Sequence, residues 1–297
     1  MRKLRFSGHE SFQCRNLWLK KGFDFINNNE DANFYDDTAV IPLGIGKNMT
    51  TSIRYWLDSF GIREEKNITD LAEKLLSDDG WDPYLEDIGS LWLLHYLLVS
   101  RNHANIYNIV FNNFRKHRIE FTKEHLKTFL ANYCEEIGES HSPNTIDTDI
   151  GVFLKTYVRP KKTNNKKNIE DLFSSLLIEL NLVKEIENTT QGERKDWYTI
   201  ESSDRESLPI EVFFFSIIDG ITKGRFGRSI SIHKLLNLNN SPGNIFALHP
   251  DALVTKVDEL THKYDDISYK EDGGIRELQI NGEFPKHDIL GNYYDCS

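Results

Sequence analysis

Cysteine is scarce in this chain, and long apolar runs are missing altogether. The three cysteines in 297 residues, Cys14, Cys134 and Cys296, stand far apart, with no C-x-x-C pair and no histidine at a zinc-ligand spacing. That excludes a disulfide framework or a zinc finger as the organising device and fits a reducing compartment. The longest apolar runs, Leu91 to Val99 and Val212 to Ile218, are far short of the ~20 residues that cross a bilayer. Both read as buried helices, and no membrane partner is expected. Behind the basic start Met1-Arg2-Lys3-Leu4-Arg5 there is no apolar stretch of the length a secretion signal requires. The expected location is therefore cytoplasmic, and the sequons at Asn48, Asn67 and Asn188 carry no glycosylation meaning.

What is present is the composition of an ordinary globular protein, 39% hydrophobic and 28% charged, with length for two or three domains. The formal net charge of -10 argues against a protein that coats nucleic acid indiscriminately. Charge is unevenly placed, however. Gly151 to Asn168 holds six bases (Lys155, Arg159, Lys161, Lys162, Lys166, Lys167) and no acid, whereas from Pro250 onward eleven acids face five bases. Any phosphate contact is least expected in that acidic tail.

Apolar periodicity predicts a core helix from Ser11 to Asn27, a short helix Leu71–Leu76, a central buried helix at Leu91–Val99 and another from Asn105 to Phe114. Thr122 is a plausible N-cap for a helix through Leu126 and Tyr133. A polar turn and a helix carrying Ile146 to Tyr157 follow, a second helix-turn-helix pattern whose Asp147 and Asp149 suit packing better than base reading. Lys161 to Asn168 is polar and basic: it reads as a flexible crossing, or as a loop that contacts phosphates through Lys161, Lys162, Lys166 and Lys167. Beyond it, the pattern predicts helices at Ile169–Leu182, Pro209–Ile221, Ser231–Leu236 and Asp251–Lys263, a strand at Trp197–Ile200 and a closing hairpin over 267–280. The expected fold is mainly α and multidomain, built from tandem winged-helix modules (helix-turn-helix with a small β-hairpin). The expected divisions are 1–118, 119–165 and 166–297. No exact internal repeat is present.

The segment 40–62 is the most informative. Pro42 ends a short helix, Gly44 and Gly46 favour a tight turn, and a helix begins near Lys47. On it Met49, Ile53, Trp56, Leu57 and Phe60 share one face, which leaves Lys47, Asn48, Thr51, Ser52, Arg54 and Tyr55 mostly on the others. That is the pattern of a recognition helix whose polar N-terminal part enters a major groove, and Ile62 to Thr69 supplies a wing. A packed helix with a solvated outer face is the competing reading. On the first, Lys47, Asn48, Thr51, Ser52 and Arg54 face DNA, while Arg2, Lys3, Arg5 and Lys20 hold phosphates.

His9 and Glu10 have the chemistry of a metal ligand beside a general base. Neighbours in sequence rarely point into one site, though, and a metal needs a further ligand, for which His95 is the candidate, so capping or anchoring the core is the expected role. Gly44-Ile45-Gly46-Lys47 lacks the spacing of a phosphate loop, and no G-x-S-x-G elbow occurs. Neither a catalytic residue nor a metal or cofactor is assigned.

Several strings carry a resemblance. Phe6-Ser7-Gly8-His9-Glu10-Ser11-Phe12 with Arg15, Leu43-Gly44-Ile45-Gly46-Lys47-Asn48-Met49, Asp82-Pro83-Tyr84-Leu85-Glu86-Asp87 and Phe153 to Val158 resemble a bacterial family known as domain of unknown function 4007. Its motif positions here include Gly8, His9, Glu10, Arg15, Gly44 and Gly46. The resemblance implies a phage-defence setting beside a sulfurtransferase-like enzyme, as in DNA phosphorothioation systems, and it implies no catalytic residue. Two functions are therefore expected as alternatives: an accessory protein that binds duplex DNA, or an adaptor that docks proteins of a modification or nuclease complex without touching DNA.

Overall fold

The first helix starts later than periodicity predicts. The structure, a computed structural model, describes residues 3–29, 32–34, 39–160, 175–190, 193–272 and 275–295. Glu10, Ser11 and Leu17 hold positive φ, which a right-handed helix does not accommodate. The stretch expected to open a helix at Ser11 is therefore irregular, and α1 is Trp18–Asn27.

After it come α2 (Val40–Leu43), α3 (Lys47–Phe60), the two-residue strands β1 (Arg63–Glu64) and β2 (Asn67–Ile68), α4 (Asp70–Leu76) and α5 (Ile88–Arg101). α3 stops at Gly61, whose φ of 71° places it in the left-handed region while Ile62 N–H donates to the Leu57 carbonyl at 2.9 Å. A Cβ at Gly61 would lie 2.7 Å from the end of the Arg101 side chain, which can swing aside, so it is the left-handed backbone that selects glycine. The hairpin β1–β2 stands where the sequence reading puts a wing. α5 is capped by Asp87, which accepts from the Gly89 and Ser90 amides, and it is buried from Gly89 through Ser100, as expected of a central helix.

α6 (Asn105–Ile109) does not continue as an α-helix to Phe114. It passes through a π-helical turn, Val110–Phe114, into α7 (Arg115–His117). Then follow β3 (Glu120–Phe121), α8 (Lys123–Glu136), α9 (Pro143–Tyr157), β4 (Lys184–Thr190) and β5 (Glu193–Thr199). Thr122 and His125 form a reciprocal capping box at the start of α8, and Ser142 caps α9 with Pro143 in its first turn. The three strands form an antiparallel sheet in the order β3-β5-β4, with Phe121 opposite Tyr198 and Ile186 opposite Trp197. The α-helix expected over Ile169–Leu182 is not found in its described part: Ser175 bridges Arg15, and Ile178–Leu180 is a single 3-10 turn. Trp56, Trp92, Tyr96, Tyr107, Phe111, Phe153 and Tyr157 are the large, fully buried side chains at the centre of this part.

These elements make one compact unit, residues 1–200, and residues 201–297 make a second. The units part after Ile200 and not after 118 or 165, since pairing of β3 with β5 ties residues 120–121 to 198–199. The second unit runs α10 (Ile210–Thr222), β6 (Ser229–Ser231), α11 (Ile232–Asn237), α12 (Pro242–Ile245), α13 (Pro250–Lys263), β7 (Ile267–Asp272), β8 (Ile275–Ile280) and α14 (Lys286–Tyr294). Its sheet order is β6-β8-β7, again antiparallel. Phe213, Ile217, Leu253, Val257, Leu260, Leu278 and Leu290 fill its core. The chain is thus helix-rich with small sheets, and among the described residues no helix is long and apolar enough to cross a membrane.

Candidate nucleic-acid interface

α3 is buried on more sides than its apolar spacing predicts. Ser52, expected to face a groove, is fully buried, and its Oγ donates to the His9 carbonyl at 2.9 Å. Tyr55, expected on the outer side, is buried too, with Gly8 pressed against its ring: a Cβ at Gly8 would fall 2.8 Å from Cδ2. Trp56 Nε1 donates to the Phe12 carbonyl at 3.1 Å. The irregular segment 6–12 therefore lies across one flank of the helix. Another flank is closed where Thr50 Oγ1 donates to the Phe34 carbonyl at 3.1 Å.

What α3 still presents is a narrow stripe. Lys47 and Asn48 are exposed, while Thr51, Arg54 and Asp58 are half-buried. At 100° per residue, positions 47, 51, 54 and 58 fall within about 60° of arc. Arg54 lies 3.9 Å from Asp58, whose other oxygen accepts from Arg63 Nε at 2.8 Å. At the head of the stripe Gly44 and Gly46 have open space where a side chain would stand; Gly44 is left-handed and Gly46 is not.

The predicted phosphate contacts divide. Lys3 and Arg5 are exposed, and the Arg5 guanidinium sits 5.9 Å from the centre of the Tyr55 ring and against His103. Lys20 does not face solvent: its ammonium is held inside by the Leu76 carbonyl at 3.0 Å, Asp78 at 2.7 Å and Asp24 at 2.8 Å. Arg2, Lys161, Lys162, Lys166 and Lys167 lie outside the described residues. Arg15 is laid over aromatic rings, 5.8 Å from Phe12 and 5.5 Å from Trp18.

His9 and Glu10 point apart. Glu10 is exposed in a left-handed conformation, whereas His9 is 2% exposed. The His9 Nδ1 accepts from the Ser11 amide at 3.1 Å, which places the proton of a neutral ring on Nε2, 3.2 Å from the Asp149 carboxylate. That Nε2 is not angled into a full hydrogen bond, so the two groups are near neighbours only. Asp149 is itself 1% exposed and accepts from the Ser7 amide at 2.8 Å. The pair fastens segment 6–12 onto α9. Burial, with the Asp149 charge nearby, pushes the Tyr55 phenol far up. Asp147 faces outward and pairs with Lys127 at 2.7 Å. His95 is fully buried and shares a hydrogen bond of 2.8 Å with the Tyr157 hydroxyl. Among the described residues no group of three His, Cys, Asp or Glu side chains is placed to hold a metal ion. Sequence reading missed the His9–Asp149 contact because no spacing rule connects residues so far apart in the chain.

Among curated proteins none matches this chain. Two solved structures of a protein named SspB, one of them magnesium-bound, are similar to it: each aligns with a TM-score of 0.81 at 28% identity, covering 98% of this chain and 88% of the other. The strings around His9, Gly44 and Asp82 fall inside a family match that spans residues 6–294, and the chain belongs to that family, described as protein of unknown function DUF4007.

Proposed function

We propose that this protein is a DNA-binding accessory factor, with no chemistry of its own, that serves an anti-phage defence or phosphorothioation-type DNA-modification system in the bacterial cytoplasm, beside a sulfurtransferase-like enzyme. One observation carries the reading. A strand, then helices (two described in the first case, three in the second), then a hairpin occur in that order twice, with the last strand central both times, as β3-β5-β4 and as β6-β8-β7. This supports winged-helix modules, a helix-turn-helix followed by a β-hairpin. α3 with the hairpin β1–β2 is a third, smaller version, and Lys47, Asn48, Thr51 and Arg54 are its candidates for groove contact, with Lys3 and Arg5 beside them for phosphates.

Duplex binding measured against salt, with magnesium included because SspB has a magnesium-bound form, tests the reading. Lys47→Glu combined with Arg54→Glu is expected to weaken binding at least tenfold and to flatten its salt dependence. Unchanged binding overturns the α3 assignment. The adaptor reading has its own support in α13, whose exposed Asp251, Asp258 and Glu259 repel phosphate. Failure to bind duplex, single-stranded or modified DNA, together with co-purification of a neighbouring gene's product, selects it.

A further inference from the structure

From Gly220 to Pro250 the second unit has no acidic side chain and four basic ones, Lys223, Arg225, Arg228 and Lys234, although residues 201–297 as a whole carry 16 acids against 10 bases. The fold gathers this island around the end of α10, strand β6 and the first turn of α11. Asp219, 2% exposed, is approached by three cations: Lys223 at 2.8 Å, Arg225 at 3.2 Å and Lys286 at 3.1 Å. One carboxylate thus faces three cations. Lys223, Arg228, Ser229, His233 and Lys234 are exposed. Arg228 meets the exposed Glu283 and donates to the Gly282 carbonyl at 2.8 Å, at the rim of a shallow depression of about 500 Å³ that Ser229, Gln279 and Asn281 also line. Other acids nearby are Glu277, which accepts from Ser229 at 2.6 Å, Asp266, exposed and set against Gly282, and Asp288, exposed on α14.

We infer that residues 223–234 form a contact surface for the phosphate backbone of duplex DNA, distinct from α3 and from the acidic face of α13. The surface extends the DNA-binding reading to the second unit without depending on the α3 residues. Exposed cations beside hydrogen-bonding groups suit phosphates, which need charge and donors but no base-specific shape. A lipid surface fits less well, because Phe226, Ile230 and Ile232, the apolar side chains within 223–234, are all buried, with Leu238 exposed beyond them, and stable membrane contact by a short basic segment needs apolar insertion as well as charge. Contact through this side also gives the second unit a way to approach DNA although α13 is acidic.

The test uses the full chain and a short duplex, with binding followed from low to moderate salt. Each phosphate contact contributes about 0.9 to the slope of log affinity against log salt. Combined Lys223→Glu, Arg228→Glu and Lys234→Glu is expected to lower that slope by roughly 2 to 3 and to weaken binding at least tenfold. Arg228→Gln with Lys234→Gln, which leaves the Asp219 cluster intact, is expected to lower it by about 2 and keeps the test readable if the triple variant folds poorly. Equal slopes and affinities for wild type and both variants overturn the inference. So does a preference for anionic vesicles or an acidic peptide that these substitutions abolish while duplex binding persists. The Lys47→Glu, Arg54→Glu protein run in parallel separates the two surfaces: no duplex binding by wild type removes both, whereas indifference to the 223–234 substitutions alone removes only this one.

Discussion

α3 and α13 are both 14-residue helices that follow a short helix and a turn and lead into a hairpin, yet they meet their surroundings differently. α13 buries one side, through Ala252, Leu253, Lys256, Val257 and Leu260, and leaves Asp251, Thr255, Asp258, Glu259 and His262 in water. α3 also buries Thr50, Ser52, Tyr55 and Ser59, because irregular chain lies over flanks that would otherwise be wet. Apolar spacing reports the side a helix turns to its core and is silent about a second cover whose contacts are main-chain carbonyls.

The largest expected effect that can break this comparison is at Trp56, which is fully buried against His9, Tyr55, Phe60 and Tyr107. We expect Trp56→Ala to cost about 3–5 kcal/mol in urea unfolding, and Thr255→Ala on the outer side of α13 to stay within about 0.5 kcal/mol. A loss at Trp56 no larger than at Thr255 would show that α3 is not enclosed. Next come the two aspartates of α9. Asp149→Ala strands the Ser7 amide and is expected to cost about 2–3 kcal/mol, against about 0.5 kcal/mol or less for the outward Asp147→Ala; equal costs would remove the clamp on segment 6–12. Smaller again is Ser52→Ala, which leaves the buried His9 carbonyl without that donor. About 1–2 kcal/mol is expected, and a neutral result would return Ser52 to the outer face. The smallest effect is at the capping box of α8. Burial, and then the charge of Arg118, holds the His125 pKa below the usual imidazole value. Its Nδ1 accepts from the Thr122 amide at 3.2 Å only when unprotonated. The folded state thus binds fewer protons than the unfolded chain: this contribution is complete above the ordinary histidine range and is lost as the pH falls through it and on through the depressed folded value. Amide protection in the first turn of α8, taken relative to the intrinsic exchange rate at each pH, should fall on acidification while that of α11, capped by Ser231, does not. Parallel behaviour of the two helices would contradict the cap.

Much of the second unit was legible in the sequence. Pro209 before a run of apolar residues, Ser231 as a cap, and alternation around Gly273-Gly274 fix α10, α11 and the closing hairpin to within a residue or so. Within the first unit, α3, its glycine stop and the small hairpin were equally clear. Less visible were elements that depend on distant partners. β4 is polar and is a strand because Ile186 and Glu185 pair with Trp197 and Tyr198. The start of α1 is set by left-handed residues that no apolar spacing reveals, and Lys20 is drawn inside by the Leu76 carbonyl and by carboxylates, which its own neighbourhood in sequence does not announce. For the candidate site, sequence located Lys47, Asn48, Thr51 and Arg54 on the open side of α3 but placed Ser52 with them, since a small hydroxyl serves a groove and a buried carbonyl alike.

The π-helical turn at Val110–Phe114 acts as a register shift. A helix that closes a wider ring there accommodates one more residue than an α-helix would, and everything after it is turned by about 100°. Arg115, the first residue past the turn, owes its direction to that offset, and its Nε donates to the carbonyl of Ile200, the last residue of the first unit, at 3.2 Å. Were 110–114 to close as regular α-helix with no residue removed, Arg115 would turn by about 100° and its guanidinium would leave this target, unfastening the end of the first unit.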